Sequence, residues 1–223
     1  PTAAGIPNRL YRNDGGTFVE MAASVGLASL NAARAALWFD YNSDHRLDLI
    51  VGGDCYEDEG NVPCDDPLSL ILYQQQDDGQ FVDVTTEAGI TTPFLSGTIS
   101  HRGGISAGDI NNDGFLDLVF ATWNASEVRV LLNNTDGTFT EIGPASGVER
   151  GFFQRYYQHV LHDFNDDGYL DIFTSADGQP NALWINQHDN TFLDIANDAN
   201  VSRDNNGLIF NEMGVTLGDY DND

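Results

Sequence analysis

A nine-residue pattern returns along this chain at a nearly constant distance, and it limits the fold more than any other feature. It reads Asp40-Tyr-Asn-Ser-Asp-His-Arg-Leu-Asp48, then Asp109-Ile-Asn-Asn-Asp-Gly-Phe-Leu-Asp117, then Asp163-Phe-Asn-Asp-Asp-Gly-Tyr-Leu-Asp171. A cut-off fourth copy is Asp219-Tyr-Asp-Asn-Asp223. The intervals from 40 to 109, 109 to 163 and 163 to 219 are 69, 54 and 56 residues. An apolar run follows every complete copy: Leu49-Ile-Val51, Leu118-Val-Phe-Ala121 and Ile172-Phe-Thr174. A repeat of this length means one supersecondary unit used several times, each burying its apolar face on the next.

A second pattern alternates with the first. It is a short apolar stretch, a polar turn and a Phe: Leu10 to Phe18, Leu72 to Phe81, Leu131 to Phe139 and Leu183 to Phe192. Such a stretch reads as a β-hairpin. Two residues past each Phe stands an acid (Glu20, Asp83, Glu141, Asp194). Each copy closes on Gly26, Gly89, Gly147 or Asn200 before an aliphatic residue. Glycine replaced only by asparagine marks a backbone position at positive φ.

Each period then holds four short strands. In the second, they are Gly104–Gly108 before the Asp loop, 116–122 after it, and the hairpin strands Val128–Asn133 and 138–142. Four strands per repeat is the arithmetic of a β-propeller blade, and no helical periodicity runs long enough to compete. The expected fold is all-β: three complete blades at 33–90, 102–148 and 156–201, with residues 6–27 ending a preceding blade and 208–223 starting a following one. A closed ring needs more blades, so the chain reads as part of a longer propeller. The longer first period reflects an insertion around residues 52–67.

The loop spacing has a chemical reading. Oxygens at positions 1, 3 and 5 of a tight turn point to one centre, with a backbone carbonyl at position 7 and a carboxylate at position 9. Hard oxygen donors suit Ca²⁺ better than zinc or copper. The expected ligands are Asp40, Asn42, Asp44, the Arg46 carbonyl and Asp48; Asp109, Asn111, Asp113, the Phe115 carbonyl and Asp117; and Asp163, Asn165, Asp167, the Tyr169 carbonyl and Asp171. Asp219, Asp221 and Asp223 belong to the truncated copy. Glycine at position 6 permits the reversal, and His45, which stands there in the first loop, is among the few residues that tolerate positive φ. An EF-hand needs an acid at position 12, where this chain has Val51, Phe120 and Thr174, so that reading fails.

Charge now has a place in the argument. The chain has 223 residues, 35 acids against 9 arginines, no lysine, and a formal net charge of −26. No basic patch can be assembled for phosphate neutralisation, which excludes a nucleic-acid binder, and an anionic membrane surface is disfavoured. With 41% apolar residues a core can form, so this is not an acidic disordered tail. Twelve of the acids stand at the loop positions just given. No apolar stretch is long enough to span a bilayer. Cys55 and Cys64 lie nine apart in a polar segment. They fit a local disulfide and an oxidising compartment; two free thiols in a reducing compartment, or half of a zinc site, are the alternatives.

The Asp loops in phase with Gly-Thr-Phe hairpins, together with Asn8-Arg-Leu-Tyr-Arg-Asn13, resemble the FG-GAP/VCBS-type calcium-binding repeat of integrin-α-like propellers, and within it secreted cartilage-acidic-protein-like members. The resemblance covers essentially the whole chain. It implies an extracellular propeller with Ca²⁺ in the loop between the first two strands of a blade.

Other constellations carry less. His101, His159 and His162 precede Asp loops and read as ordinary strand and loop histidines. Phe152-Phe-Gln-Arg-Tyr-Tyr157 reads as packing between blades before it reads as a ligand surface. Asn124, Asn133 and Asn200 begin glycosylation acceptor patterns. No nucleophile elbow, zinc-protease motif or phosphate-cradling loop is present. The expected function is therefore a non-enzymatic, extracellular, calcium-stabilised adhesion, matrix or scaffold module with a protein or glycan ligand. The alternatives are the propeller domain of a polysaccharide-active enzyme and a self-associating filament subunit.

Overall fold

The computed structural model describes residues 7–29, 33–53, 70–90, 103–121, 128–148, 150, 155–209 and 211–218. Cys55, Cys64, His101, Asn124, Asp219, Asp221 and Asp223 lie outside the described residues, and with them the disulfide and the fourth loop.

The fold is all-β. A first hairpin pairs β1 (Tyr11–Asp14) with β2 (Thr17–Glu20). Three four-stranded antiparallel sheets follow in simple meander order. The first is β3 (Ala33–Phe39), β4 (Asp48–Gly53), β5 (Leu70–Gln75) and β6 (Phe81–Asp83). The second is β7 (Ile105–Gly108), β8 (Asp117–Ala121), β9 (Val128–Asn133) and β10 (Phe139–Glu141). The third is β11 (Tyr156–His162), β12 (Asp171–Ala176), β13 (Ala182–Asn186) and β14 (Phe192–Asp194). The helical content of the described residues is one turn at Ala22–Ser24 and one at Gly143–Ser146.

Why the sheets form is visible in their burial. Strands β4, β8 and β9 are buried at every residue. An antiparallel strand covered on both faces must be sandwiched between neighbours, which explains their continuous rather than alternating apolar sequence. The core accordingly lies between sheets, in three clusters. One joins Val25 and Leu27 behind the first hairpin to Leu49, Ile71 and Phe81. The next joins Ile50 and Leu72 to Leu118 and Phe139. The third joins Val119 and Val130 to Ile172, Trp184 and Phe192. The recurrent Phe of the fourth strand thus packs back onto the preceding unit in all three sheets. The first strands also neighbour one another, β3 beside β7 and β7 beside β11. This is the stacking that propeller blades use.

The Asp excess has a second local cause. In the hairpin turn of each four-stranded sheet an Asp caps a backbone N–H two residues on: Asp78 to Gln80, Asp136 to Thr138, Asp189 to Thr191, at 3.0–3.1 Å. The acid two past each Phe does the same: Glu20 to Ala22, Asp83 to Thr85, Glu141 to Gly143 and Asp194 to Ala196. Short carboxylates that satisfy turn N–H groups are what tight turns select. The unit then closes on Gly147, at φ 86°, where an added Cβ would lie 2.9 Å from the Phe192 carbonyl oxygen. Asn200 takes the same conformation, φ 57°, at the end of the third sheet.

His159 is a core residue. Its Nε2 lies 2.9 Å from the Gly104 carbonyl and its Nδ1 3.3 Å from Thr174 Oγ1. Burial pushes its pKa down to about 4, against a partial rise from the Gly104 contact. The folded state therefore resists the charged ring. Its contribution to stability is complete above pH 6.5 and drains as pH falls toward 4, by about 3 kcal/mol in total. Urea unfolding at pH 7 and pH 4.5 checks this: His159→Gln should lose less stability across that interval than the wild type. Equal losses would refute it.

Tyr156 and Trp184 of the third sheet pack edge-to-face, ring centroids 5.7 Å apart, and Tyr156 is buried in the cluster that joins this sheet to Val119 and Val130 of the second, so this end of the aromatic segment is inter-sheet packing. Asn133 is 3% exposed with its Nδ2 donating inside the protein, which closes that glycosylation pattern to a transferase in the folded state.

Candidate metal centre

The three Asp loops join the first strand of each sheet to the second. Phe39 stands opposite Asp48, Gly108 opposite Asp117, and His162 opposite Asp171. Within the loops the geometry repeats almost atom for atom. In the second, Asp109 Oδ1 accepts from the Asp113 N–H at 3.0 Å and Oδ2 from Gly114 at 2.8 Å. Asn111 Oδ1 accepts from Asp113 N–H, and its Nδ2 donates to Asp113 Oδ2 at 2.9 Å. Asp113 Oδ1 accepts from Phe115 N–H at 2.9 Å. Asp40, Asn42, Asp44 and Arg46 make the same set in the first loop. Asp163, Asn165, Asp167 and Tyr169 make it in the third.

The backbone follows. Position 6 is at positive φ in all three: Gly114 and Gly168 at 91° and 89°, His45 at 67°. Position 4 is as well, at 58–59° in Ser43, Asn112 and Asp166. Two such residues one apart give the loop its reversal, and Asn and Asp are the side chains that bear it best.

Position 9 differs in kind. Asp48, Asp117 and Asp171 are 0% exposed. Asp117 accepts from Ile110 N–H and Asn133 N–H, both at 2.8 Å. Asp48 accepts from Tyr41 and Gln75, and Asp171 from Phe164 and Asn186. This carboxylate ties its loop to the third strand of its own sheet. Burial raises its pKa, to about 6 in Asp48 and Asp117, with a further push from the carboxylates at positions 5 and 1. Asp171 shifts the same way for the same reasons. The N–H donors only partly offset this.

A further tie crosses between sheets. Asn133 Nδ2 donates to the Tyr41 carbonyl at 2.7 Å, and Asn186 Nδ2 to the Ile110 carbonyl at 2.9 Å. Each unit thereby holds position 2 of the preceding loop. Sequence reasoning missed these two amides as site residues, although both stand six before the hairpin Phe, where the first sheet has Gln75.

The expectation of carboxylates closing on one centre meets a different arrangement. Among the described residues no three acid, His or Cys side chains gather as a metal-holding group. The loop oxygens accept backbone N–H groups instead. In donor chemistry the loops do fit a hard cation. Each offers three carboxylates and an amide oxygen on one turn, and the deepest carboxylate is raised first by burial and then by its like-charged neighbours. Asp40, Asp44, Asp48 and their counterparts would hold the ion, which would supply the positive charge that the second loop lacks.

The comparisons with known proteins agree with this repeat. Residues 109–154, which begin at the second Asp loop, match the family described as FG-GAP-like repeat. Over 104 residues the chain is 33% identical to cartilage acidic protein 1 of Homo sapiens and 36% identical to that of Mus musculus. The match takes in 46% of this chain but 14% and 15% of those proteins. The Xenopus tropicalis protein is 28% identical over the same length. Among solved structures, an Agrocybe aegerita lectin described as recognising non-reducing terminal N-acetylglucosamine superposes with a TM-score of 0.42 at 18% identity. The superposition covers 83% of this chain and 44% of that one. What is shown is an all-β chain of four-stranded antiparallel sheets, one stretch of which, residues 109–154, matches the FG-GAP-like repeat. No helix among the described residues is long and apolar enough to cross a membrane.

Proposed function

We propose that this chain is a stretch of an extracellular, calcium-stabilised β-propeller that serves as an adhesion, matrix or scaffold binding module and is not an enzyme. The observation that carries the reading is the buried position-9 carboxylate. Three times over, in phase with the sheets, a fully buried Asp accepts two backbone N–H groups while two more acids crowd it. A cation there would turn repulsion into cross-linking of loop, second strand and third strand, and binding would be linked to folding. The similarity to cartilage acidic proteins supports an extracellular, matrix-related setting, and a protein or glycan as the ligand of the assembled surface is part of the same proposal. The Cys55–Cys64 disulfide belongs to the same proposal.

Calorimetric melting with millimolar calcium and then with excess chelator tests the structural-calcium reading. The expected result is a chelator-sensitive melting temperature whose shift shrinks in Asp113→Ala and Asp167→Ala. An unchanged melting temperature in all conditions would discard it.

A further inference from the structure

We propose that Arg46 is a resident cation of the first loop, so that the three loops take calcium unequally and the first takes it most weakly. This rests on the calcium reading above. At position 7 the second and third loops have Phe115 and Tyr169, whereas the first has an arginine. Its guanidinium makes three contacts with three parts of the same sheet. Nη2 lies 2.7 Å from Asp44 Oδ2, Nε donates to the Gln75 carbonyl at 3.1 Å, and Nη1 lies 2.8 Å from Asp77 Oδ1. The Asp44 side chain is 20% exposed and the Asp77 side chain 93%. The Asp77 contact is therefore a screened surface pair, while the Asp44 contact is the one that bears on the loop. The planar Arg46 fork is preorganised for such contacts, with one end on a backbone carbonyl and the side chain 35% exposed.

The other loops lack this arrangement. Asp167 Oδ2 in the third loop meets His188 Nε2 at 2.9 Å, the imidazole stacking on Tyr169 at 4.1 Å between centroids. Among the described residues, Asp113 Oδ2 in the second loop meets the neutral Asn111 amide and no cation. No ion pair involves Asp109, Asp113 or Asp117 among the described residues. The loop oxygens have the same backbone N–H partners throughout; what sets the first loop apart is the Arg46 guanidinium on Asp44, beside a neutral Gln74 side-chain hydrogen bond to the same carboxylate. Calcium affinity in oxygen loops follows the number of ligand charges and the rigidity of the site. In the first loop one of three carboxylate charges is already matched, and an incoming cation must displace the guanidinium from Asp44 Oδ2 or share it. The arginine also keeps that loop tied to its hairpin when no metal is present.

The test is direct calcium titration by isothermal calorimetry on the whole chain, as wild type, Arg46→Phe and Arg46→Gln. Phe is the residue of the second loop, and Gln keeps the length and polarity should Phe disturb folding. The expected result is one weak site in the wild type that tightens about tenfold in both variants. Asp40→Asn in the Arg46→Gln background should remove the gained site, which assigns it to the first loop. With chelator present both Arg46 variants should melt lower than the wild type, because the resident charge is gone and no ion replaces it. If Asp113→Ala and Asp167→Ala each remove a calcium site but neither Arg46 variant changes any affinity, this proposal fails and the calcium reading stands. If wild type and variants bind no calcium at all, both fail.

Discussion

Asp117→Ala should destabilise the protein by about 3–5 kcal/mol, measured by urea unfolding, with or without calcium. Two buried backbone donors, Ile110 N–H and Asn133 N–H, lose their only named acceptor, and each orphan costs about 1–3 kcal/mol. The space left by this fully buried side chain adds a cavity contribution. Asp117→Asn separates the hydrogen bonds from the charge. Its amide oxygen still satisfies one donor and it carries no charge into a site crowded by Asp109 and Asp113. Without calcium it should therefore be the milder change; with calcium the order of damage should narrow, since Asn also forfeits a charged ligand. The carboxyl of Asp117, raised to about 6 in the folded chain from 3.8, adds a pH signature in calcium-free buffer. A group raised on folding contributes stability that is complete below its unfolded pKa and is lost as pH rises through the folded one. The gap between wild type and Asp117→Ala should thus widen as pH falls from 7 to 4. A gap that narrows would mean that the carboxylate is held ionised by donors strong enough to outweigh its burial.

How much of this was readable beforehand follows from what repeats. The period, the four strands per unit, the hairpin Phe and the positive-φ closing residue all recur, and recurrence filters out chance. The structure gives Val128–Asn133 as a strand with the expected bounds, and it sets His45 at φ 67° where glycine was expected. The contacts that finish the site are different. Asn133 and Asn186 reach carbonyls 92 and 76 residues away in sequence. Nothing in a hairpin amide announces so distant a partner until the sheets are stacked, and Asn133 in isolation looked like the start of a glycosylation pattern. Position 9 was legible as an acid, but its bonds to the third strand were not, because they depend on strand pairing. Position 4 at positive φ was also missed; Ser, Asn and Asp there were the available signal. The net charge of −26 changes meaning as well. Part of it is positional: twelve of the 35 acids stand at loop positions and seven more cap turn N–H groups, so that share follows from the number of turns in a four-stranded unit.

On the proposed calcium reading, removing the ion should have the larger effect of the two, because it would act on every loop at once. An ion that binds only the folded state stabilises it by about 2.7 kcal/mol when its free concentration is a hundredfold above the dissociation constant. Two fully dependent loops and one partly compensated by Arg46 then amount to about 6–8 kcal/mol, comparable with the entire stability of many domains. For a chain of this size that corresponds to a fall of about 20 °C in melting temperature when chelator replaces calcium. The dependence should also be uneven along the chain. The second loop has no ion pair among the described residues and is held from the next sheet by the Asn186 amide on the Ile110 carbonyl, so its release should loosen the contact between the second and third sheets first. Hydrogen exchange with and without chelator reads this directly: protection at Asn133 and Asn186, whose N–H groups bind the position-9 carboxylates, should fall sharply, and that at Gln75 less. Equal loss at all three amides would show that Arg46 gives the first loop no independence. Protection unchanged by chelator would show that the buried carboxylates are held by N–H groups alone, and that the loops need no metal to keep their shape.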